Sequence, residues 1–214
     1  MGIISLDPSV QILLIPVLIF ALSFHEYAHA WAAYRLGDPT ASAMGRLTLN
    51  PMAHLDPFGA IALYLIGFGW AKPVPVDYRY LRNPKQDMLW IALAGPASNF
   101  AMALISGLLL RFLWTTGMIS GGSALTMVLV MSLQINLMLG LFNFLPIPPL
   151  DGSKIMAGLI PNRHQNILYN MELYGPKILF AIILIGMVTR VSIIGTIIRP
   201  FINFFMKIFT LGLF

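Results

Sequence analysis

The pentapeptide His25-Glu26-Tyr27-Ala28-His29 lies inside an apolar run that extends from Val10 to Ala33, and it constrains the chain more than any other stretch. A single acid at the centre of a membrane-crossing helix costs roughly 3 kcal/mol on an insertion scale, so ionisable residues in such a segment mark a functional-site candidate. Residues four apart on an α-helix stand one above the other on one face. The two histidines can therefore reach a single metal ion, with Glu26 beside them. The competing reading is a helix whose polar residues satisfy one another without a metal.

The surrounding sequence decides the solvent. Of 214 residues, 58% are hydrophobic and 10% charged, a balance that excludes a water-soluble globule. Apolar stretches cover residues 10–34, 57–70, 88–118, 123–145 and 178–214, against the roughly 20 residues that a spanning helix needs. The 57–70 stretch is too short for an ordinary span, and Gly59, Gly67 and Gly69 make it read as a short or re-entrant helix. The N-terminal run lacks the basic flank and small-residue cleavage site of a signal peptide, so it is read as a true span. Gly37-Asp38-Pro39-Thr40 forms a helix stop and turn, and the β-prone residues from Thr40 to Leu49 suggest a two-stranded hairpin. Prolines in Gly69 to Asp77 require an extended, interfacial segment. The expected fold is an all-α polytopic membrane protein of about four to six membrane helices. It carries a small membrane-associated β-hairpin after the first helix, and residues 1–214 are organised as a single integral-membrane domain.

Charge sets orientation. The net charge of +5 comes from basic residues that form no aromatic-interleaved patch, so it points to membrane orientation and not to nucleic acid. Arg35, Arg46, Lys72, Arg79, Arg82 and Lys85 fall between the first and third long apolar runs, and Lys154, Arg163 and Lys177 between the fourth and fifth. The 115–123 segment carries no charge. The positive-inside rule then places 35–87 and 146–177 on the cytoplasmic side, with His25 and His29 in the cytoplasmic half of the first helix. Arg190, Arg199 and Lys207 suggest one last span followed by an amphipathic surface helix.

The chain has no cysteine, which leaves His, Asp and Glu as ligands, and a catalytic zinc takes three protein ligands with one open position. Asp151 is the best third ligand. It follows the fourth apolar run in Asn143-Phe144-Leu145-Pro146-Ile147-Pro148-Pro149-Leu150-Asp151-Gly152, where prolines open the backbone next to an acid. Its alternative role is to cap a helix beginning near Gly152. Asn99 and Asn143 can hold an extended substrate strand or stabilise an oxyanion. Equally, Asn143 can cap a helix end and Asn99 can bond a neighbouring helix. His54 and Asp56 are candidates to orient a ligand from behind it, against a plain loop histidine at 54.

The pairing of His25-Glu26-Tyr27-Ala28-His29 with the 143–152 segment resembles the site-2 protease family of intramembrane zinc metalloproteases. The segments Asn50 to Gly59, Trp70 to Val76 and Gly95-Pro96-Ala97-Ser98-Asn99 are also similar to those of its compact members, which carry no appended PDZ-like or nucleotide-sensing domain. The resemblance implies one Zn2+ held by His25, His29 and Asp151, and Glu26 as the catalytic acid/base. It further implies hydrolysis of peptide bonds within or near transmembrane helices of membrane-protein substrates, in the lipid bilayer of a prokaryotic inner membrane, with the active site toward the cytoplasm. Two other classes remain: a membrane ion or metal transporter, which would be expected to show paired or inverted halves, and an inactive relative that binds helices.

Overall fold

The structure is a computed structural model describing residues 2–189 and 191–213; Arg190 lies outside the described residues. The helices run in the order α1 (Pro8–Arg35), α2 (Thr40–Ala43), α3 (Pro57–Ile66), α4 (Pro84–Thr115), α5 (Ala124–Asn143), α6 (Asp151–Leu159), α7 (Gln165–Thr189) and α8 (Ile193–Phe209). Four of them, α1, α4, α5 and α7, are long and apolar enough to cross a membrane. The short 57–70 stretch supplies only the ten residues of α3. The C-terminal region divides into a span and an amphipathic helix, with Arg199 and Lys207 exposed on α8, but the span α7 starts at Gln165, within the 146–177 segment expected to be a cytoplasmic connection.

Helix starts are written locally. Asp7-Pro8, Asp56-Pro57 and Asn83-Pro84 each place proline at the first helical position, where its missing N–H would have had no partner. The Asp7 carboxylate accepts from the backbone N–H of Ser9 at 2.8 Å, and Asp56 accepts from Gly59 at 3.0 Å. At α4 the arrangement is reversed, with the Asn83 N–H donating to Asp87 at 2.8 Å.

Within lipid, helices gain nothing by hiding apolar surface from one another, so close contact depends on small residues. α4 occupies the centre and packs against α1, α5 and α6, while α8 covers α5. Ala21, Ala30 and Ala33 of α1 and Ala92 and Ala103 of α4 are almost wholly buried. At Gly140 of α5 the absent side chain makes room for the Phe100 ring. Leu133 and Leu137 of α5 then close on Ala103 of α4 and on Phe205 and Met206 of α8.

The β-hairpin expected over Thr40 to Leu49 does not form. Thr40–Ala43 is a helical turn, and no strand occurs among the described residues. The local polar groups find partners other than a ladder. Asp38 accepts from Thr40 N–H at 2.9 Å and the Arg46 N–H reaches Ala41 O at 2.8 Å. The Arg46 guanidinium donates to the carbonyls of Lys72 and Pro73. A β-propensity reading of this segment fails because side-chain hydrogen bonds compete for the backbone. Residues 72–77 are non-helical as their prolines require, joined to the loop before α3 by the Leu55–Ala71 bridge and by Lys72 N–H to His54 O at 2.7 Å.

Asp38 ties these parts together. It is completely buried, and its second oxygen accepts from the Asp77 N–H at 2.8 Å. Asp38→Ala leaves two backbone donors without their acceptor, which costs about 2–4 kcal/mol. The expected result is a clearly lower unfolding midpoint in detergent, read by thermal scanning; an unchanged midpoint contradicts this role.

Candidate metal centre

The two histidines of α1 point into the contact with α4. His25 and His29 are 5% and 7% exposed, and their Nε2 atoms lie 3.0 Å apart. The Asp151 carboxylate, at the first turn of α6, completes a triangle: its Oδ2 is 3.1 Å from His25 Nε2 and 3.2 Å from His29 Nε2. The residue capping α6 is Leu150, which offers no side-chain bond. Asp151 therefore spends its carboxylate on the histidines and not on the helix end.

Three ligand atoms with edges of 3.0–3.2 Å approximate one face of a zinc tetrahedron. Bonds of 2.0–2.2 Å at the tetrahedral angle give edges of roughly 3.3 Å. The other ring nitrogens confirm the fit. His25 Nδ1 is 2.6 Å from Asn99 Oδ1 and His29 Nδ1 is 2.7 Å from the Ile91 carbonyl. A backbone carbonyl can only accept, so the proton of His29 sits on Nδ1 and the Nε2 lone pair faces the triangle. Two such lone pairs and a carboxylate oxygen converging in a buried space suit a cation, and His25, His29 and Asp151 form a group able to hold one.

Glycine makes this closeness possible. A methyl group at Gly95 of α4 would stand 2.2 Å from His29 Nε2 and 2.7 Å from His25 Cε1. At Gly152 it would clash with the carbonyl oxygens of Phe144 and Leu145, so this glycine lets α6 begin directly against the end of α5, in the reversal that brings Asp151 to the histidines. Glu26 is 9% exposed, and its carboxylate accepts no hydrogen bond among the described residues. Burial pushes the Arg46 guanidinium below its ordinary pKa while the negative Glu26 draws it back up, so the two charges sense each other across the α1–loop contact.

The other candidates separate. Asn99 is completely buried; its Oδ1 takes the His25 bond, and its Nδ2 donates to Asn136 Oδ1 at 2.9 Å and to Ala21 O at 3.4 Å. Both its polar atoms are thus engaged inside the bundle, and Asn99 braces the His25 ring. Asn143 ends α5 half-buried, with Nδ2 donating to Leu139 O at 3.1 Å. His54 is buried with Nε2 on Thr48 O at 2.7 Å, and Asp56 caps α3; neither hydrogen-bonds to the histidine pair or to Asp151. Asn136 was not among the sequence candidates, although Ser132 and Asn136 are polar, four residues apart and inside an apolar run. Gly95→Ala places a carbon where His29 Nε2 now lies. The expected result is loss of at least 10-fold in zinc affinity with the helical content kept, measured by chelator competition and circular dichroism; wild-type affinity contradicts the close approach.

Comparison with known proteins points to a zinc metalloprotease family. The profile of Peptidase family M50 matches residues 13–126 and 116–186. The chain is 39% identical over 193 residues to "Putative zinc metalloprotease YwhC" of Bacillus subtilis, covering 89% of this chain and 85% of that protein. It is 29% identical over 188 residues to "Putative zinc metalloprotease Rip2" of Mycolicibacterium smegmatis, covering 84% of this chain and 68% of that one. No solved structure matches. With the family profile spanning most of the sequence and both relatives named as zinc metalloproteases, the chain belongs to peptidase family M50, the site-2 protease family, and is a metalloprotease.

Proposed function

We propose that this metalloprotease cleaves peptide bonds within or near the transmembrane helices of membrane-protein substrates. In this reading His25, His29 and Asp151 hold one zinc ion and Glu26 is the catalytic acid/base. The observation that carries it is the convergence of two imidazole nitrogens and a carboxylate oxygen within 3.2 Å on a helix apolar enough to cross a membrane. Residues 1–214 act as one integral-membrane protease domain. The basic residues of the 36–83 connection, with Lys154 and Arg163 between α5 and α7, support a cytoplasm-facing site in a prokaryotic inner membrane.

When bound, zinc polarises the scissile carbonyl and makes water a nucleophile near neutral pH. Glu26 lies one residue from His25, and its carboxylate is not committed to any hydrogen bond among the described residues. It takes the proton of the attacking water and returns it to the leaving amine. His25 and His29 are held as ligands by Asn99 and Ile91, which keeps their rings oriented through the cycle. Asn143 lies eight residues before Asp151 at the end of α5 and orients the substrate backbone. A transmembrane helix satisfies its own peptide groups, so a scissile bond becomes reachable only after local unwinding, and the freed groups need polar partners in a low-dielectric setting.

Purified protein in detergent should contain one equivalent of zinc and cut a model transmembrane helix. Glu26→Gln keeps the size of the side chain and removes the base, so zinc should remain while hydrolysis falls about 10²–10⁴-fold. Asp151→Ala should lose both metal and cleavage. Wild-type turnover in Glu26→Gln sinks the mechanism, and full zinc occupancy with normal turnover in Asp151→Ala removes that residue from the site. A Gly or Pro placed near the scissile bond of the substrate should accelerate cleavage by easing the unwinding, with equal rates counting against it.

A further inference from the structure

Behind His25 a string of buried polar groups crosses from α1 through α4 into α5. His25 Nδ1 meets Asn99 Oδ1 at 2.6 Å, Asn99 Nδ2 meets Asn136 Oδ1 at 2.9 Å, and Asn136 Nδ2 meets the Ser132 carbonyl at 2.9 Å. Asn99 and Asn136 are 0% and 1% exposed. Ser132 Oγ continues the line to Ser106 Oγ at 2.8 Å. Buried side-chain amides in the interior of apolar helices are retained where every hydrogen bond is made and has a use.

We propose that Asn136 is a positioning residue for the metal centre: acting through Asn99, it dictates which nitrogen of His25 carries the proton and so keeps His25 competent as a ligand. This rests on the zinc-site reading above.

The direction of the string follows from its far end. The Ser132 carbonyl can only accept, so the Asn136 atom facing it is Nδ2. Asn136 must then present its oxygen to Asn99, and Asn99 its NH2 group to Asn136. That leaves the Asn99 oxygen toward His25, and an acceptor opposite Nδ1 places the proton there, which frees Nε2 for the metal. No step offers a second choice. With Asn136 gone, the one other contact of the Asn99 amide nitrogen is the long 3.4 Å approach to Ala21 O, and only that weak bond holds the amide against turning over. A turned amide donates to His25 Nδ1, which puts the proton on Nε2, where a metal cannot bind. His29 needs no such relay, because its Nδ1 faces the carbonyl of Ile91 directly.

Carboxylate chemistry gives a clean test, since a carboxylate accepts through both oxygens and has no wrong orientation. Zinc affinity of the full chain in detergent would be measured by chelator competition for wild type, Asn136→Leu and the Asn99→Asp/Asn136→Leu double variant. Asn136→Leu should bind zinc about 10–100-fold more weakly. The double variant should return to within about 3-fold of wild type, because an acceptor toward His25 is again guaranteed. A residue that served packing alone would give no such recovery. Wild-type affinity in Asn136→Leu overturns the proposal, as does a double variant no tighter than Asn136→Leu. A wild-type protein without stoichiometric zinc overturns the site assignment and the relay together.

Discussion

The approach of α1 to α4 is the contact on which everything else in this molecule depends. Two imidazoles project from α1 into the interface, and each is held from behind by α4, one by the Asn99 side chain and one by the Ile91 carbonyl. That arrangement requires the helices to be near enough for side chain to meet backbone. Gly95 permits it, because any larger residue would occupy the space of the rings themselves. Ala33 on α1, packed with Met88 and Ile91 of α4, extends the same close fit along the interface. In lipid such packing replaces the hydrophobic effect as the source of association. The contact that holds the bundle together is thus also the contact that shapes the candidate metal centre.

The third candidate ligand, Asp151, arrives by a different route. α5 ends at Asn143, the chain passes through a proline-rich stretch, and α6 begins at Asp151. Gly152 sets the new helix directly against the carbonyls of Phe144 and Leu145. The result is a tight reversal that carries a carboxylate to the histidines of another helix. A ligand on such a turn is placed by covalent geometry as much as by packing, whereas His25 and His29 are placed by a rigid helix. Both supports converge on one triangle of atoms, and the polar string through Asn99 and Asn136 links that triangle to α5.

Much of this was legible in the sequence because it is local. The spacing of His25 and His29 needs only helical periodicity, the four long helices follow from apolar length, and Asp151 announces itself by its prolines and glycine. The expectation of a hairpin over Thr40 to Leu49 failed because the backbone groups of Thr40, Ala41, Met44 and Arg46 are taken by Asp38 and by a helical turn, while the Asp38 and Arg46 side chains anchor that turn to the distant 72–77 segment. Asn99 shows the same limit. As a lone buried amide its type suggests a substrate contact, and only the positions of His25 and Asn136 reveal that all its groups are taken. Asp56 likewise looked like a partner for a ligand and proves to be the cap of α3. Ser132 and Asn136, spaced four apart in an apolar helix, were a visible signal of a polar face.

The claim at the centre of this account is that His25, His29 and Asp151 form one zinc site inside the bundle. X-ray absorption at the zinc edge on the detergent-purified protein tests it most directly. The account predicts a single four-coordinate zinc with N and O ligands at about 2.0–2.2 Å, two of them imidazoles. It also predicts that one imidazole disappears from the spectrum in His29→Ala. A spectrum with one imidazole or none, or one that keeps both imidazoles in His29→Ala, would contradict it.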